Sequence, residues 1–100
     1  MTVGQYSIYI LRCADSSLYT GIAADLERRL LEHESSPRGA KYLRGRGPFR
    51  LVFSATVGDR STASKFEHRI KKLSRADKQA LIDGDLPLEA ILDDQVSAAG

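Results

Sequence analysis

"LYTGIAADLERRLLEH", residues 18–33, changes its hydrophobic period midway, and that change decides the fold. Leu18 to Ile22 alternates as a strand does, whereas from Ala24 to Glu34 the apolar positions recur at helical spacing. Asp25 falls in the first helical turn, where a negative charge suits the helix dipole. Gly21 stands at the corner, where a missing side chain permits a close backbone approach or an unusual dihedral. At about 100° per residue, Leu26 and Leu30 set the buried direction of the helix near 0° and 40°. Arg29 then falls at about 300° and His33 at about 340°, beside the apolar stripe, while Arg28 points away at about 200°. A guanidinium bordering a core costs desolvation unless it has a partner. Two readings follow: Arg29 pairs with Asp25 or an acid elsewhere while His33 caps a carbonyl, or both residues border a cleft.

Outward from this stretch the other elements fall into place. "YSIYILRC", from Tyr6 to Cys13, is aromatic and β-branched with an alternating pattern, and "ADSS" turns it. It is a first strand, and "LYTGI" is its hairpin partner. "SSPRGA" stops the first helix. "FRLVFSATV" is a third strand, and "GDRS" supplies caps for a second helix running to about Leu73. Ser74 caps a third helix that ends at Gly84, and Pro87 opens a short fourth. "VSAAG" reads as a loose tail. With neither repeat nor linker, the chain is one compact α/β unit.

One hundred residues suffice for one core, burying roughly 60–70% of the unfolded chain's surface. Hydrophobic residues at 42% and charged residues at 28% are ordinary for a globular protein and suggest neither intrinsic disorder nor a coiled coil. Apolar runs such as Ile8 to Leu11 fall far short of the roughly 20 residues of a membrane span, and Met1 to Tyr6 has no signal-peptide pattern. A soluble, cytoplasmic protein is expected. Cys13, alone, excludes an internal disulfide and a cysteine-cluster metal site.

The net charge of +2 conceals an asymmetry. Residues 1–75 hold 14 Lys/Arg against 7 Asp/Glu, and residues 76–100 hold 1 against 6. The acidic share belongs partly to a short C-terminal helix and tail, 86–100, appended to a domain spanning 1–85. Between Arg38 and Arg50, "RGAKYLRGRGPFR" carries Arg38, Lys41, Arg44, Arg46 and Arg50 with no acid, and Tyr42 and Phe49 interleave. A basic loop with aromatics suits phosphate backbones and stacked bases, though it also reads as a solvated surface loop.

The second helix has Ala63, Phe66, Ile70 and Leu73 as its apolar stripe, with Glu67 at the edge and Lys71 one turn on. Glu67 and Lys71 form at least an i,i+4 pair. His68, Arg69 and Lys72 face outward, toward solvent or a phosphate backbone. On the strands, Tyr9 shares a face with Leu11 and Tyr19 one with Gly21; the alternation leaves core and cleft equally open.

In this order and spacing the sequence resembles the GIY-YIG nuclease family, and most closely its short, stand-alone bacterial members. Ser7-Ile8-Tyr9 stands in the first signature slot and Tyr19-Thr20-Gly21 in the second. "DLERRLLEH" resembles the helix that carries the family's arginine, here Arg29, with His33 one turn further. Glu67, in "ASKFEHRIKKL", matches the family's metal-binding glutamate. The resemblance runs from about Tyr6 to Leu81. Ser7 replaces the name-giving glycine, Thr20 the isoleucine, and Ile22 a lysine that some relatives use to assist proton removal.

The resemblance implies an α+β fold: a small, mainly antiparallel three-stranded sheet flanked by helices, in the order β-β-α-β-α-α. It also implies metal-dependent hydrolysis of phosphodiesters in DNA, single-stranded or branched, in repair or processing. Glu67 would hold one Mg²⁺ or Mn²⁺, and Arg29 would neutralise charge on the attacked phosphate. Tyr9 would be the base, with Tyr19 its orienter or alternative. Since a free phenol has a pKa near 10, Tyr9 would need a cation nearby, from the metal, Arg29 or His33. Nucleic acid, DNA before RNA, would be the partner, held by Arg38, Lys41, Arg44, Arg46, Arg50, Lys71 and Lys72. The rivals are a nucleic-acid-binding module that no longer cleaves, for which Ile22 speaks, and an interaction module using the acidic C-terminal quarter.

Overall fold

The computed structural model describes residues 4–35 and 48–92. Arg38, Lys41, Arg44 and Arg46 of the expected basic loop, and the tail from residue 93, lie outside the described residues. The elements are β1 (Tyr6–Arg12), β2 (Leu18–Ala23), α1 (Leu26–Ser35), β3 (Arg50–Gly58), α2 (Arg60–Lys71), α3 (Arg75–Asp83) and a 3-10 helix at Leu88–Leu92. No helix among the described residues is long and apolar enough to cross a membrane.

The three strands form one sheet in the order β2-β1-β3, and both pairings are antiparallel. β1 takes the centre because Ile8 to Leu11 is apolar on both faces; a strand with neighbours on both sides and cover above and below has no place for polar alternation. The alternation is instead between two kinds of apolar surroundings. Ile8 and Ile10 join Phe66 and Ile70 of α2, Leu81 of α3 and Ile91 of the 3-10 helix in one core. Tyr9, Leu11, Cys13 and Ala23 form a second cluster against Tyr19, Leu26, Leu30 and Phe49. Thus α1 covers one face of the sheet, and α2, α3 and the 3-10 helix cover the other.

Local chemistry accounts for the boundaries. The β1–β2 turn is closed by Cys13 N donating to Ser17 O and Ser16 N donating to Cys13 O, each at 2.9 Å. Asp15 Oδ1 accepts from Ser17 N at 3.0 Å, stabilising a turn in which Ser16 holds φ +70. Asp25 precedes α1 and does not lie in its first turn: its Oδ1 accepts from Arg28 N at 3.2 Å and its carbonyl from Arg29 N at 3.1 Å, so it caps the helix. Asp59 caps α2 through Thr62 N at 2.9 Å, and that hydrogen bond holds its carboxyl below the usual range. α2 ends at Lys71, short of Leu73, because Lys72 N already turns back to Arg69 O at 3.1 Å and Leu73 N to Ile70 O at 3.0 Å. Ser74 and Gly84 bracket α3, with Gly84 left-handed at φ +87. Ile91, 1% exposed, belongs to the same core as Ile8.

Candidate active site

The site begins with one cross-strand pair. Tyr9, at the middle of β1, lies opposite Gly21 of β2. A Cβ built on Gly21 would stand 2.6 Å from Tyr9 Oη, 2.7 Å from Tyr9 Cζ and 3.1 Å from Tyr19 Cε2. Glycine here serves close approach and not an unusual dihedral, since among the described residues the positive-φ glycines are Gly4, Gly58 and Gly84. Gly21 also lies within β2, two residues before the strand ends. The bare backbone makes room for the Tyr9 hydroxyl against the sheet.

Three rings close around that hydroxyl. The Tyr9 and Tyr19 centroids are 6.3 Å apart, and the His33 ring is 6.0 Å from the first and 5.7 Å from the second. Tyr9 Oη lies 2.8 Å from His33 Nε2. Arg29, one turn before His33, also reaches the Tyr9 hydroxyl, and its Nη1 donates to Glu32 Oε1 at 2.9 Å. Its acid partner on the helix is therefore Glu32 at i+3, because Asp25 is engaged as the cap. Tyr9 is 1% and His33 7% exposed. The helical angles put both Arg29 and His33 on this border, and the sheet surface they adjoin presents the Tyr9 hydroxyl to them.

Electrostatics at this point run opposite to the expected direction for a phenol acting alone. Burial, then the neighbouring Tyr19, pushes the Tyr9 pKa up to about 12; Arg29 pulls against this, and Glu67 adds to the rise. Burial and then the Arg29 cation lower the pKa of His33, with Glu32 opposing. Burial works against the charge of Arg29, but its bonds to Glu32 and Tyr9 outweigh this and leave its pKa raised. Both shifts favour a neutral phenol beside a neutral imidazole at neutral pH, and with the phenol assigned as donor, Nδ1 of His33 carries the ring proton.

Glu67 approaches from the other side. Its helix packs on the face opposite α1, yet its charge is felt at Tyr9. Its side chain is 27% exposed and pairs with Lys71 Nζ at 3.4 Å, as the i,i+4 spacing predicts. Among the described residues no three His, Cys, Asp or Glu side chains gather as a metal site. A lone, half-buried carboxylate fits a hard divalent cation that keeps most of its waters and takes further oxygens from a phosphate.

Both helices also reach a cleft of about 380 Å³ where β2 gives way to α1. Ile22 and Ala23 line it with Arg28, Arg29 and Glu32 of α1 and Arg60 of α2. The sequence pattern pointed Arg28 away from the sheet, and the residue is indeed exposed, but Glu32 gathers it with Arg29: Arg28 Nε is 3.6 Å from Glu32 Oε2. The spacing of 28, 29 and 32 carried that signal. Nothing in the sequence joined Arg60 to them. Arg50, at the start of β3, and Lys72, at the end of α2, are exposed and apart from the rings.

The sequence pattern of the GIY-YIG catalytic domain matches residues 5–80. A UPF0213 protein of Enterobacter sp. (strain 638) is 51% identical over 84 residues, 84% of this chain and 81% of that one. The UPF0213 protein YhbQ of Escherichia coli (strain K12) is 52% identical over 75 residues, 75% of this chain and 74% of its own length. The solution NMR structure of a UPF0213 protein from Bacillus halodurans is similar with a TM-score of 0.53 at 44% identity, covering 79% of this chain and 83% of that one. A protein from E. faecalis, also solved by NMR, aligns with a TM-score of 0.57 at 36% identity over 80% of this chain and 84% of its own.

Proposed function

Because this chain belongs to the GIY-YIG catalytic-domain family, we propose that it is a metal-dependent endonuclease hydrolysing phosphodiester bonds in DNA. The family is one of nucleases that use a divalent cation. The reading is carried by one observation: a buried tyrosine hydroxyl with an imidazole nitrogen at 2.8 Å, a guanidinium beside it and a carboxylate's charge reaching it.

In this reading Tyr9 and His33 act as one base. A phenol held up to about 12 is not a phenolate at neutral pH, so Tyr9 cannot take a proton while keeping its own. Its hydroxyl proton passes to His33 Nε2 as its oxygen accepts a proton from the attacking water. His33 suits this because its lowered pKa keeps it neutral and able to accept. Arg29, steadied by Glu32, neutralises charge growing on the phosphate oxygens. Tyr19 packs against both rings and fixes their angle. Glu67 would hold a divalent cation, Mg²⁺ or Mn²⁺, which when bound would supply polarisation of the phosphoryl oxygen and stabilisation of the departing oxyanion.

Turnover of single-stranded, duplex and branched DNA, with and without Mg²⁺ or Mn²⁺, tests the reading. Arg29→Ala and Glu67→Ala should each lose roughly 10²–10³-fold in rate while remaining folded. Wild-type turnover in both would refute it. The rival is a binding module that retains DNA without cutting. Ile22 favours it, since an apolar side chain lines the cleft beside Arg29, and binding without metal-dependent cleavage would establish it.

A further inference from the structure

A second basic site lies at the far end of the sheet. Arg12, Cys13, Pro48, Phe49 and Arg50 enclose a pocket of about 300 Å³. Arg12 and Arg50 are directly opposite one another in the β1–β3 ladder, an arrangement of like charges that weakens a sheet. Among the described residues no carboxylate pairs with either guanidinium. Arg12 Nη2 donates to the neutral amide oxygen of Gln79 at 2.8 Å, and the Arg50 side chain has no hydrogen bond or ion pair with any described residue. Arg12 Nε is withdrawn from solvent and has no hydrogen-bond partner among the described residues. A buried N–H of a cation without an acceptor is costly, and a native chain tolerates it where an acceptor arrives from outside.

The rest of the pocket says what kind of acceptor. Gln79 fixes the Arg12 guanidinium through Nη2, and Arg12 and Arg50 together offer two cations on one pocket wall to a single oxyanion. Phe49 and Pro48 supply an apolar wall beside the two charges. Cys13 and Phe49 belong to the cluster that contains Tyr9 and Tyr19, whereas Arg12 reaches Gln79 of α3 on the other side, so the pocket lies at the end of the sheet where the two faces meet. Arg12 is three residues along β1 from Tyr9, or roughly 10 Å at the usual rise per residue.

We infer that Arg12, Arg50 and Phe49 form a subsite for a backbone phosphate of the nucleic-acid strand, away from the phosphate that is cut, with the attached sugar lying on Phe49. This rests on the nuclease reading for the identity of the strand but not for the cutting. Binding is therefore measured in EDTA, by fluorescence anisotropy of end-labelled DNA and RNA oligonucleotides over a salt series. Arg12→Gln and Arg50→Gln should each bind roughly tenfold more weakly on at least one of the two strands, with the slope against salt reduced by about one. Lys78→Gln, matched in charge and outside the pocket, should change affinity less than twofold.

A single neutral methylphosphonate linkage walked along the strand gives position. One linkage should weaken the wild type and have no further effect on Arg12→Gln. If no linkage behaves so, or if both arginine variants bind as Lys78→Gln does, the subsite is wrong. Should Arg12→Gln melt early, Arg50→Gln, at an exposed position, decides alone. Loss of cleavage with these binding results intact would sink the nuclease reading and leave the subsite standing; a wild type that binds neither strand would overturn it.

Discussion

Ile8, Tyr9 and Ile10 are consecutive and equally hidden, at 0%, 1% and 0% exposure, yet they serve different halves of the molecule. The isoleucines look into hydrocarbon from α2, α3 and the 3-10 helix. Tyr9 looks the other way, into a gathering of Tyr19, His33 and Arg29 over a glycine. On the first face burial contributes stability by removing apolar area from water. On the second the same burial acts on protons, raising a phenol and lowering an imidazole until they meet as neutral donor and acceptor. Burial alone therefore does not distinguish core from site; what surrounds the polar atom does.

The sharpest way to break this contrast is one truncation on each face. Leu81→Ala, deep in the hydrocarbon face at 2% exposure, should lose about 2–5 kcal/mol of stability and keep wild-type turnover per folded molecule. Tyr9→Phe should do the reverse: roughly 10²-fold or more in turnover, with about 1–3 kcal/mol in stability from the orphaned His33 nitrogen. Urea melts beside cleavage rates read both. Equal turnover in Tyr9→Phe and wild type would reduce the polar face to packing.

Gly21→Ala sharpens the same comparison by intruding on the polar face alone. The added methyl would lie 2.6 Å from Tyr9 Oη, and Tyr9 is held between strand, helix and His33, so the strain has no easy outlet. About 1–3 kcal/mol of destabilisation is expected. Tyr9→Phe in the Gly21→Ala background should recover part of it, because the nearest clashing atom is gone. A fully wild-type melt for Gly21→Ala would show that β2 does not approach as closely as described.

How much of this was legible in the chain depends on the range of the physics. The cap at Ser74, the stop at Gly84 and the change of period after Gly21 are local, and the expected third helix, running from Ser74 to Gly84, coincides with α3. The helical angles of Arg29 and His33 were also local, and they border the polar face as that geometry requires. What could not be read was the sign of the Tyr9 shift. The sequence offered three cations for lowering the phenol, but the larger influence is burial between β2 and α1, a consequence of tertiary packing. Likewise, Arg12 and Arg50 stand 38 positions apart, and only the register of β1 on β3 makes them neighbours.

Protonation tests the polar face without altering its shape. His33 is lowered in the folded state, so the unfolded chain binds its proton more tightly. Stability tied to neutral His33 should be present above about 6.5 and be lost as pH falls through the lower folded value. The difference in stability between wild type and His33→Gln should shrink over that interval, and the His33 ring should titrate by NMR below the ordinary imidazole value. Tyr9 gives the mirror case: raised to about 12, it keeps its proton when the unfolded chain releases its own, so its contribution is whole below about pH 10 and disappears as pH approaches 12. A His33 midpoint at or above the ordinary value would remove the neutral pair on which the shared-base reading depends.

The smallest effect concerns Lys71, whose ammonium lies 3.4 Å from Glu67 and is 55% exposed. As an exposed i,i+4 pair it contributes only a few tenths of a kcal/mol to folding, so Lys71→Ala should scarcely move the melt. Its effect on metal affinity should be larger than on stability and of opposite sign. An ammonium beside a carboxylate competes with a divalent cation for the same oxygens, and removing it should tighten binding of Mn²⁺, measurable by titration calorimetry on the folded protein. If Lys71→Ala instead weakens Mn²⁺ binding, the lysine is positioning the carboxylate and the competition argument fails. Unchanged affinity would place the cation away from Glu67 altogether, leaving that residue on the structural side of the comparison with which these two faces began.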